Sequence, residues 1–375
     1  MKGRTIMSVN CCGTGEKQAT PCCGSAPAYV SGYIETPAGK VQQVSGVWSR
    51  QESIGQIRCR ISGSFRMHYT VDPGLYGIGN PTKESPVFVS ANYKMSFDIL
   101  RRELNGIYGW ILVLDTRGIN VWCAAGKGTF GTEEIINRIR SVGLEQYVGH
   151  RRIILPQLGA PGVQSHTIKN ETGFSVKFGP VYAHDIKQYL NNGYKADKQM
   201  RTVRFSLMDR MVLTPMEITA LLKYTLIYAL AVFALFGLTP QGILFKNALS
   251  EGTLFVIMGL LALFFGAYFT LVFLPFIPFR SFALKGFIVG VAYCALVSVT
   301  LDNPLLHNRY IQIAMFTLFP VITSYLALNF TGCTTFTNMS GVVKEMKIAI
   351  PLYVIALAVS IIALVIYKLV SWGIV

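Results

Sequence analysis

Apolar residues are unevenly spread along this chain. From about Thr219 onward they come in five long blocks, at 220–238, 253–274, 282–301, 310–330 and 348–370. Each is about 20 residues, the length a helix needs to cross a hydrocarbon core roughly 30 Å thick. One such block reads equally well as a buried core helix, but five in series predict an all-α transmembrane domain over 216–375.

Ahead of the blocks the period changes. "VFVSAN" (87–92) and the wholly apolar "WILVLD" (110–115) predict strands, and so does "RRIILP" (151–156). Between them "SFDILRRELNG" (96–106) predicts a helix closed by Gly106. "GTEEIINRIRSVG" (131–143) predicts another, with Thr132 as N-cap, Glu133 and Glu134 in its first turn and Gly143 past its end. "FSVKFGPV" (174–181) then leads into the helix "AHDIKQYLNN" (183–192). Strands flanked by helices predict an α/β, Rossmann-like domain over 51–215 with a parallel or mixed sheet. Ligands of such sheets sit beyond the carboxyl ends of the strands, which is where the 116–131 loop is expected. Residues 55–80 alternate like strands, 200–216 read as a last strand and linker, and 1–50, rich in Gly, Ser, Thr, Pro and Gln, read as a flexible arm.

Charge adds an orientation. The chain is 51% hydrophobic yet carries +15. Of its 34 Lys+Arg, 26 lie in the first 215 residues with 15 of the 19 Asp+Glu, which leaves +11 there. A basic domain beside spans predicts the cytoplasmic face of an inner membrane. With the amino terminus inside, the inner loops carry Arg280, Lys285, Lys344 and Lys347, against Lys246, Arg309 and Lys368 outside. There is no basic helix and no RNA-binding signature, so no nucleic-acid partner is expected. Nothing before Cys11 resembles a signal peptide, so the eight cysteines are expected to meet a reducing cytosol and stay thiols.

One thiol stands out. Cys123 lies in "INVWCAAGKGTFG" (119–131), just after a predicted strand. "GKGTFG" fits G-x-G-x-x-G, but some ten residues intervene after Asp115 and "IILPQLG" ends in no acidic ribose partner, which weakens a dinucleotide site. A P-loop does not fit, because Gly128 follows Lys127 and the first glycine of that motif is missing. Nothing in the sequence pairs His68, His150, His166 or His184 with Cys123 as a nucleophile–base couple. The bland reading is a packed small hydrophobe. The alternative is a thiolate ligand for a metal whose other ligands come with a cofactor, since one cysteine is too few for structural zinc. A thiol at a helix start ionises more easily, and small residues at 124–126 would let backbone lie against a flat macrocycle.

"NVWCAAGK" (120–127) closely resembles the signature of the HgcA family, the corrinoid proteins of bacterial mercury methylation. The resemblance continues in "VDPGLYGIGNP", "SPVFVSANYKMSFD", "LVLDTRGINVWCAAGKGTFGTEE", "ILPQLGAPG" and "NFTGCTTFTNMSGVVKEM", covering most of residues 60–350. Parts of it are also similar to the corrinoid domain of the corrinoid iron–sulfur protein of the acetyl-CoA pathway, which lacks the membrane part.

The resemblance implies an α/β corrinoid-binding domain followed by five spans. It implies Cys123 as lower axial ligand of cobalt, with Asn120, Val121, Trp122, Ala124, Ala125, Gly126, Lys127 and Gly128 around the cobalamin-type ring. The implied reaction passes a methyl group from a Cys-ligated methylcobalt corrinoid to Hg(II), giving methylmercury. Hg(II) is an electrophile, so the methyl must leave as an anion or radical. A strongly donating thiolate trans to it favours that departure more than imidazole does, and the D-x-H-x-x-G motif that supplies histidine elsewhere is absent. The chain has no C-x-x-C-x-x-C-x-x-x-C-P run, so an external reductant is expected. The resemblance implies the ferredoxin-like protein HgcB with two [4Fe–4S] clusters, and methyl-tetrahydrofolate, or a protein carrying its methyl, as donor.

Two further stretches have two readings each. "NCCGTGEKQATPCCG" pairs Cys11 with Cys12 and Cys22 with Cys23 in sequence. Thiolates prefer soft Hg(II), so the arm could capture mercury, or it is a tail with incidental or zinc-binding thiols. "FTGCTTFTNMSG" (330–341) is expected on the cytoplasmic side, where Thr331, Thr334, Thr335 and Thr337 could cover the upper face of the ring or simply satisfy helix ends. Rival functions are a methyl carrier of one-carbon metabolism with another acceptor, a transporter with a regulatory domain, and a dinucleotide oxidoreductase. Ionisable residues within the blocks are few, chiefly Lys223, Lys285 and Lys368, which favours an anchor over a pump.

Overall fold

Seven strands form one mixed sheet in the computed structural model, which describes residues 27–333, 336 and 339–374. They are β1 (Val30–Thr36), β2 (Gly39–Val44), β3 (Gly74–Ile78), β4 (Val87–Ala91), β5 (Gly109–Leu114), β6 (Arg152–Leu155) and β7 (Ser175–Phe178), in the order β1-β2-β3-β5-β4-β6-β7. The β5-β4-β6-β7 portion is parallel throughout, whereas β1–β2 and β3–β5 pair antiparallel. β4 and β5 are buried along their whole length, which is why both read as continuous apolar runs.

Helices cover both faces. One face packs Phe97 and Leu100 of a helix at Lys94–Glu103 against Phe88, Ile111 and Val113. The other packs Ile135, Ile136 and Ile139 of the helix at Thr132–Val142, and Ile168 of the helix at Ser165–Thr172, against Val87, Val89, Leu112 and Leu114. The chain leaves β4 toward β5 on one side and later returns to β6 on the other. This reversal makes the carboxyl end of β4 a topological switch point.

Several expectations need correcting. The sheet begins well before residue 51. Residues 30–44, read as part of an arm, form a hairpin whose first strand alternates between exposed and half-buried positions, as an edge strand does, and so shows little apolar signal. Residues 50–68 are helical rather than extended, as Arg50–Ile61 (α1) and Gly63–His68 (α2). Their start was written in the sequence: Ser49 and Glu52 form a reciprocal capping box. The face that α1 buries is Glu52, Gly55 and Cys59, too polar and too small to register as amphipathic. Residues 200–216 contain no strand; Ser206 and Asp209 cap a turn of helix at Leu207–Met211. Thr132 is not an N-cap. Gly131 holds that position, and the Thr132 hydroxyl accepts from the Gln164 N–H at 2.8 Å.

Beyond Ser206 five helices are long and apolar enough to cross a membrane, at Leu207–Gly237, Phe245–Val272, Phe282–Thr300, Arg309–Asn329 and Ser340–Ser371. The first, second and fifth begin several residues before the expected 220, 253 and 348. The second continues through a π-helical turn at Phe265–Phe269. The α/β domain touches this bundle at α1 and α2. The Thr219 hydroxyl donates to the Ile61 carbonyl, and the Arg66 guanidinium reaches Met216 Sδ at 3.3 Å. Phe205 also meets Phe336 edge-on, with ring centroids 5.7 Å apart.

Candidate functional site

The segment expected as a 116–131 loop contains a two-turn helix, Val121–Lys127 (α3). Asn120 caps it: its Oδ1 accepts from the Cys123 N–H at 2.9 Å. Gly128 closes it in the left-handed region at φ +80°. Cys123 therefore lies in the first turn. Its side chain is exposed, and no described group hydrogen-bonds its sulfur. Ala124 and Ala125 face inward and are buried, while Gly126 and Lys127 face solvent.

The inner side of α3 is held by the 155–163 segment. A Cβ on Gly162 would lie 2.4 Å from the Phe130 carbonyl oxygen and 3.2 Å from Ala125 Cα, and one on Gly159 would meet the Phe130 ring at 2.5 Å. The glycines of "LPQLGAPG" thus let that backbone press against α3 and Phe130.

The amino-terminal end of α3 borders a cleft of about 350 Å³ at the carboxyl ends of the parallel strands. Ser90 of β4, Leu155 at the end of β6 with Pro156 after it, and Gly179 and Pro180 after β7 line it. Asn120, Val121 and the 38% exposed Trp122 form one wall, with Tyr93 and Met95 opposite. The cleft is mostly apolar. Burial pushes the Tyr93 phenol, and the Cys59 thiol packed against it, above their ordinary values, so both stay neutral.

Asn92, just past β4, fixes the approach to α3. Its Oδ1 accepts from the Thr116 N–H (3.1 Å), the Thr116 hydroxyl (2.9 Å) and the Gly118 N–H (2.9 Å), and its amide donates to Asp115 (3.2 Å). Arg117 and Gly118 both take left-handed conformations there, at φ 57° and 71°. The sequence pattern gave no sign of Asn92, because nothing in strand or helix periodicity marks an asparagine that bridges two strand ends. The Asn120 cap could have been found from its place before an apolar turn.

Asn120, Val121, Trp122, Cys123, Ala124, Ala125, Gly126, Lys127 and Gly128 are thus brought together on one short helix and its caps, and the first three of them line the cleft. Thr331 is elsewhere, buried, with its hydroxyl donating to the Leu328 carbonyl at 2.8 Å. Thr334, Thr335 and Thr337, and the pairs Cys11–Cys12 and Cys22–Cys23, lie outside the described residues. Among the described residues no three His, Cys, Asp or Glu side chains converge as a metal cage.

Residues 56–190 match the family model described as CO dehydrogenase/acetyl-CoA synthase delta subunit. The match covers β3 to β7, begins after the β1–β2 hairpin and stops before the apolar helices. The acetyl-CoA decarbonylase/synthase complex subunit gamma of Archaeoglobus fulgidus is 31% identical over 140 residues, 37% of this chain and 29% of that protein. Its counterpart in Methanocaldococcus jannaschii is 32% identical over 131 residues, 34% of this chain and 26% of that protein. That of Methanopyrus kandleri is 30% identical over 122 residues, 32% and 26% of the two chains. The chain thus spans less than a third of the length of these relatives.

Proposed function

We propose that this chain is a membrane-anchored, corrinoid-dependent methyltransferase whose acceptor is Hg(II). The observation that carries the reading is the exposed Cys123 thiol in the first turn of a helix that walls an apolar cleft at a switch point. The residues fit a corrinoid. One unpartnered thiol suits a metal that arrives with its other ligands, and the exposed, side-chain-free Gly126 next to it allows close approach of a flat ring. When bound, the group supplies a cobalt-held methyl for transfer to Hg(II), as the family resemblance implies.

The protein's own part is to hold and orient. Cys123 would hold the metal through its sulfur, and only a deprotonated sulfur is a strong donor. Asn120 takes the Cys123 N–H, so the first turn keeps its shape while the sulfur stays free. The cleft beside the amino end of this helix is largely apolar, and Asn120, Val121 and Trp122 line it. Five apolar helices anchor the domain, which faces the cytoplasm. Reduction is assigned to a separate ferredoxin-like protein, HgcB, and methyl supply to a methyl-tetrahydrofolate or a protein charged from it.

A second reading rests on the relatives. Their names belong to acetyl-CoA decarbonylase/synthase complexes, which favours a methyl carrier with another acceptor. Purified full-length protein separates the possibilities. Stoichiometric cobalt and a corrinoid absorption spectrum support both methyl-transfer readings, and methylmercury formed from Hg(II) supports the first. Protein without cobalt after expression in a corrinoid-producing host overturns both.

A further inference from the structure

Helix α1 has two faces that the function above does not use equally. Its inner face, Glu52, Gly55 and Cys59, is buried against the domain. On its outer side Ile54 (46% exposed), Ile57 (58%) and Ile61 (45%) recur at i, i+3 and i+7, so they form one stripe. Met67 of α2 is 56% exposed as well. Exposed arginines stand at the stripe's amino end, at Arg50, and to one side of it, at Arg58, whose guanidinium lies 5.0 Å from the Phe65 ring centroid. The single acid of α1, Glu52, points the other way and pairs with Arg101 at 2.8 Å. Three outward isoleucines with arginines nearby suit a shallow seat on an anionic lipid surface, where the cations meet headgroups and the short apolar stripe meets the acyl boundary.

The position of α1 agrees. The carbonyl of Ile61 accepts from Thr219, the residue just before the first apolar block. One turn further along that span, Lys223 and Tyr224 are exposed, with the ammonium 4.7 Å from the ring centroid. Lys and Tyr are residue types that settle at headgroup level. The carboxyl end of α1 is thus pinned where the span would enter the bilayer.

We propose that α1 rests on the cytoplasmic leaflet, with Ile54, Ile57, Ile61 and Met67 in the acyl boundary and Arg50 and Arg58 at anionic lipid headgroups. This rests on the membrane reading above. It has a consequence for the site, because Cys59 on the inner face of α1 packs against Tyr93, whose ring lines the cleft. The membrane surface then sets the attitude of the cleft, rather than a free linker.

The test uses full-length protein in bilayer discs of phosphatidylcholine and phosphatidylglycerol, without bromines or with them near the headgroup end of the acyl chains for the 57 and 169 variants and near the chain ends for the 357 variant. Tryptophan is introduced singly as Ile57→Trp, as Leu357→Trp on the exposed side of the fifth apolar helix, and as Lys169→Trp. Lys169 lies on the helix at Ser165–Thr172, which packs on the opposite face of the sheet from α1's neighbours. Emission is read as the difference from the parent protein. For Ile57→Trp, blue-shifted emission quenched by the bromolipids is expected, and Lys169→Trp stays unquenched and open to aqueous iodide. Reversing Arg50 and Arg58 to Glu is expected to reduce the quenching at 57 in anionic discs. If Leu357→Trp is quenched but Ile57→Trp is as open to iodide as Lys169→Trp, α1 is off the membrane and the inference falls alone. A blue shift at 57 without quenching indicates a protein contact and also overturns it. If Leu357→Trp is unquenched as well, the membrane reading itself falls.

Discussion

Asn92 and Thr116 lie 24 residues apart in sequence, yet the Asn92 side-chain oxygen accepts both the backbone N–H and the hydroxyl of Thr116. The same oxygen takes the Gly118 N–H, so one acceptor ties the end of β4 to the turn that leads into Asn120 and Cys123. Thr116 is fully buried and Asn92 nearly so, which leaves no water to replace these bonds.

Asn92→Ala should therefore strand buried donors. An unsatisfied buried donor costs about 1–3 kcal/mol. The Thr116 hydroxyl keeps a second partner in the Ile119 carbonyl at 2.6 Å, so the net loss is expected at about 2–4 kcal/mol. Chemical denaturation of the corrinoid-free protein measures it. Limited proteolysis should cut between 115 and 128 more readily in the variant. Unchanged stability would mean that the turn holds itself.

Cys123→Ala is expected to abolish methyl transfer while leaving the fold intact, because the side chain is exposed and the Asn120 cap bonds the backbone. Cys123→His is expected to keep a bound corrinoid but slow turnover, since imidazole donates less to the metal than thiolate. Methylmercury yield and the cobalt absorption spectrum, measured together, separate these outcomes. Undiminished methylation by the alanine variant would remove Cys123 from the chemistry.

The acid limb of stability should run through Glu52. Burial alone would raise its carboxyl, but the Ser49 hydroxyl and N–H together with Arg101 outweigh this and hold it below its usual range. A depressed folded-state value gives stability that is present above the unfolded value of about 4.3 and is lost as pH falls through the folded one. Glu52→Gln should cost about 2–3 kcal/mol at neutral pH, less than a fully orphaned buried charge, because Arg101 keeps Asp98 and the Ser45 and Val47 carbonyls. The variant's deficit should shrink below about pH 4. Tyr29 contributes to the other limb, together with Tyr69, Tyr76 and Tyr93, which burial also raises. Burial, with Asp72 and Asp98 nearby, pushes Tyr29 up to about 12. Its stabilising contribution is complete below the ordinary tyrosine value of about 10 and is lost as pH rises through the folded one. Tyr29→Phe should make the alkaline fall in a pH–stability profile shallower without removing it, because the other raised tyrosines remain.

How much of this was legible depends on what each element buries. β4 and β5 are buried on both sides and announced themselves as unbroken apolar runs, and the Ile135–Ile139 face did so by helical spacing. The β1–β2 hairpin did not, because its outer strand is a half-exposed edge made of small and polar residues. α1 was misread because its inward face is a paired acid, a glycine and a cysteine, whereas its isoleucines face outward. At the site, Cys123 and its neighbours could be picked out by local sequence, since one short helix carries them. Asn92, Gly159 and Gly162 could not, because their roles depend on which strand ends the topology brings together.

Packing within the apolar bundle gives the last prediction. Gly286 and Gly290 are four residues apart on the third apolar helix and face the fourth. A Cβ on Gly290 would lie 2.2 Å from Thr323 Oγ1 and 2.4 Å from Pro320 Cα. One on Gly286 would lie 2.6 Å from the Thr323 carbonyl oxygen and 2.8 Å from Ser324 Cα. Backbone atoms are among these neighbours, so a side chain cannot be absorbed by a rotamer change. Small residues at such a spacing allow two helices to approach where lipid gives no hydrophobic drive to association. Gly290→Ala should force the helices apart at a cost of about 1–3 kcal/mol, and Gly290→Leu should cost more. The same displacement should disturb the Ser324 hydroxyl, which joins the Ala283 carbonyl on the third helix and Tyr353 on the fifth at 2.6 Å each. Thermal unfolding in detergent, followed by loss of monodisperse protein, is expected to rank wild type above Gly290→Ala and that above Gly290→Leu. A Leu variant as stable as wild type would show that the two helices are not in close contact at this point.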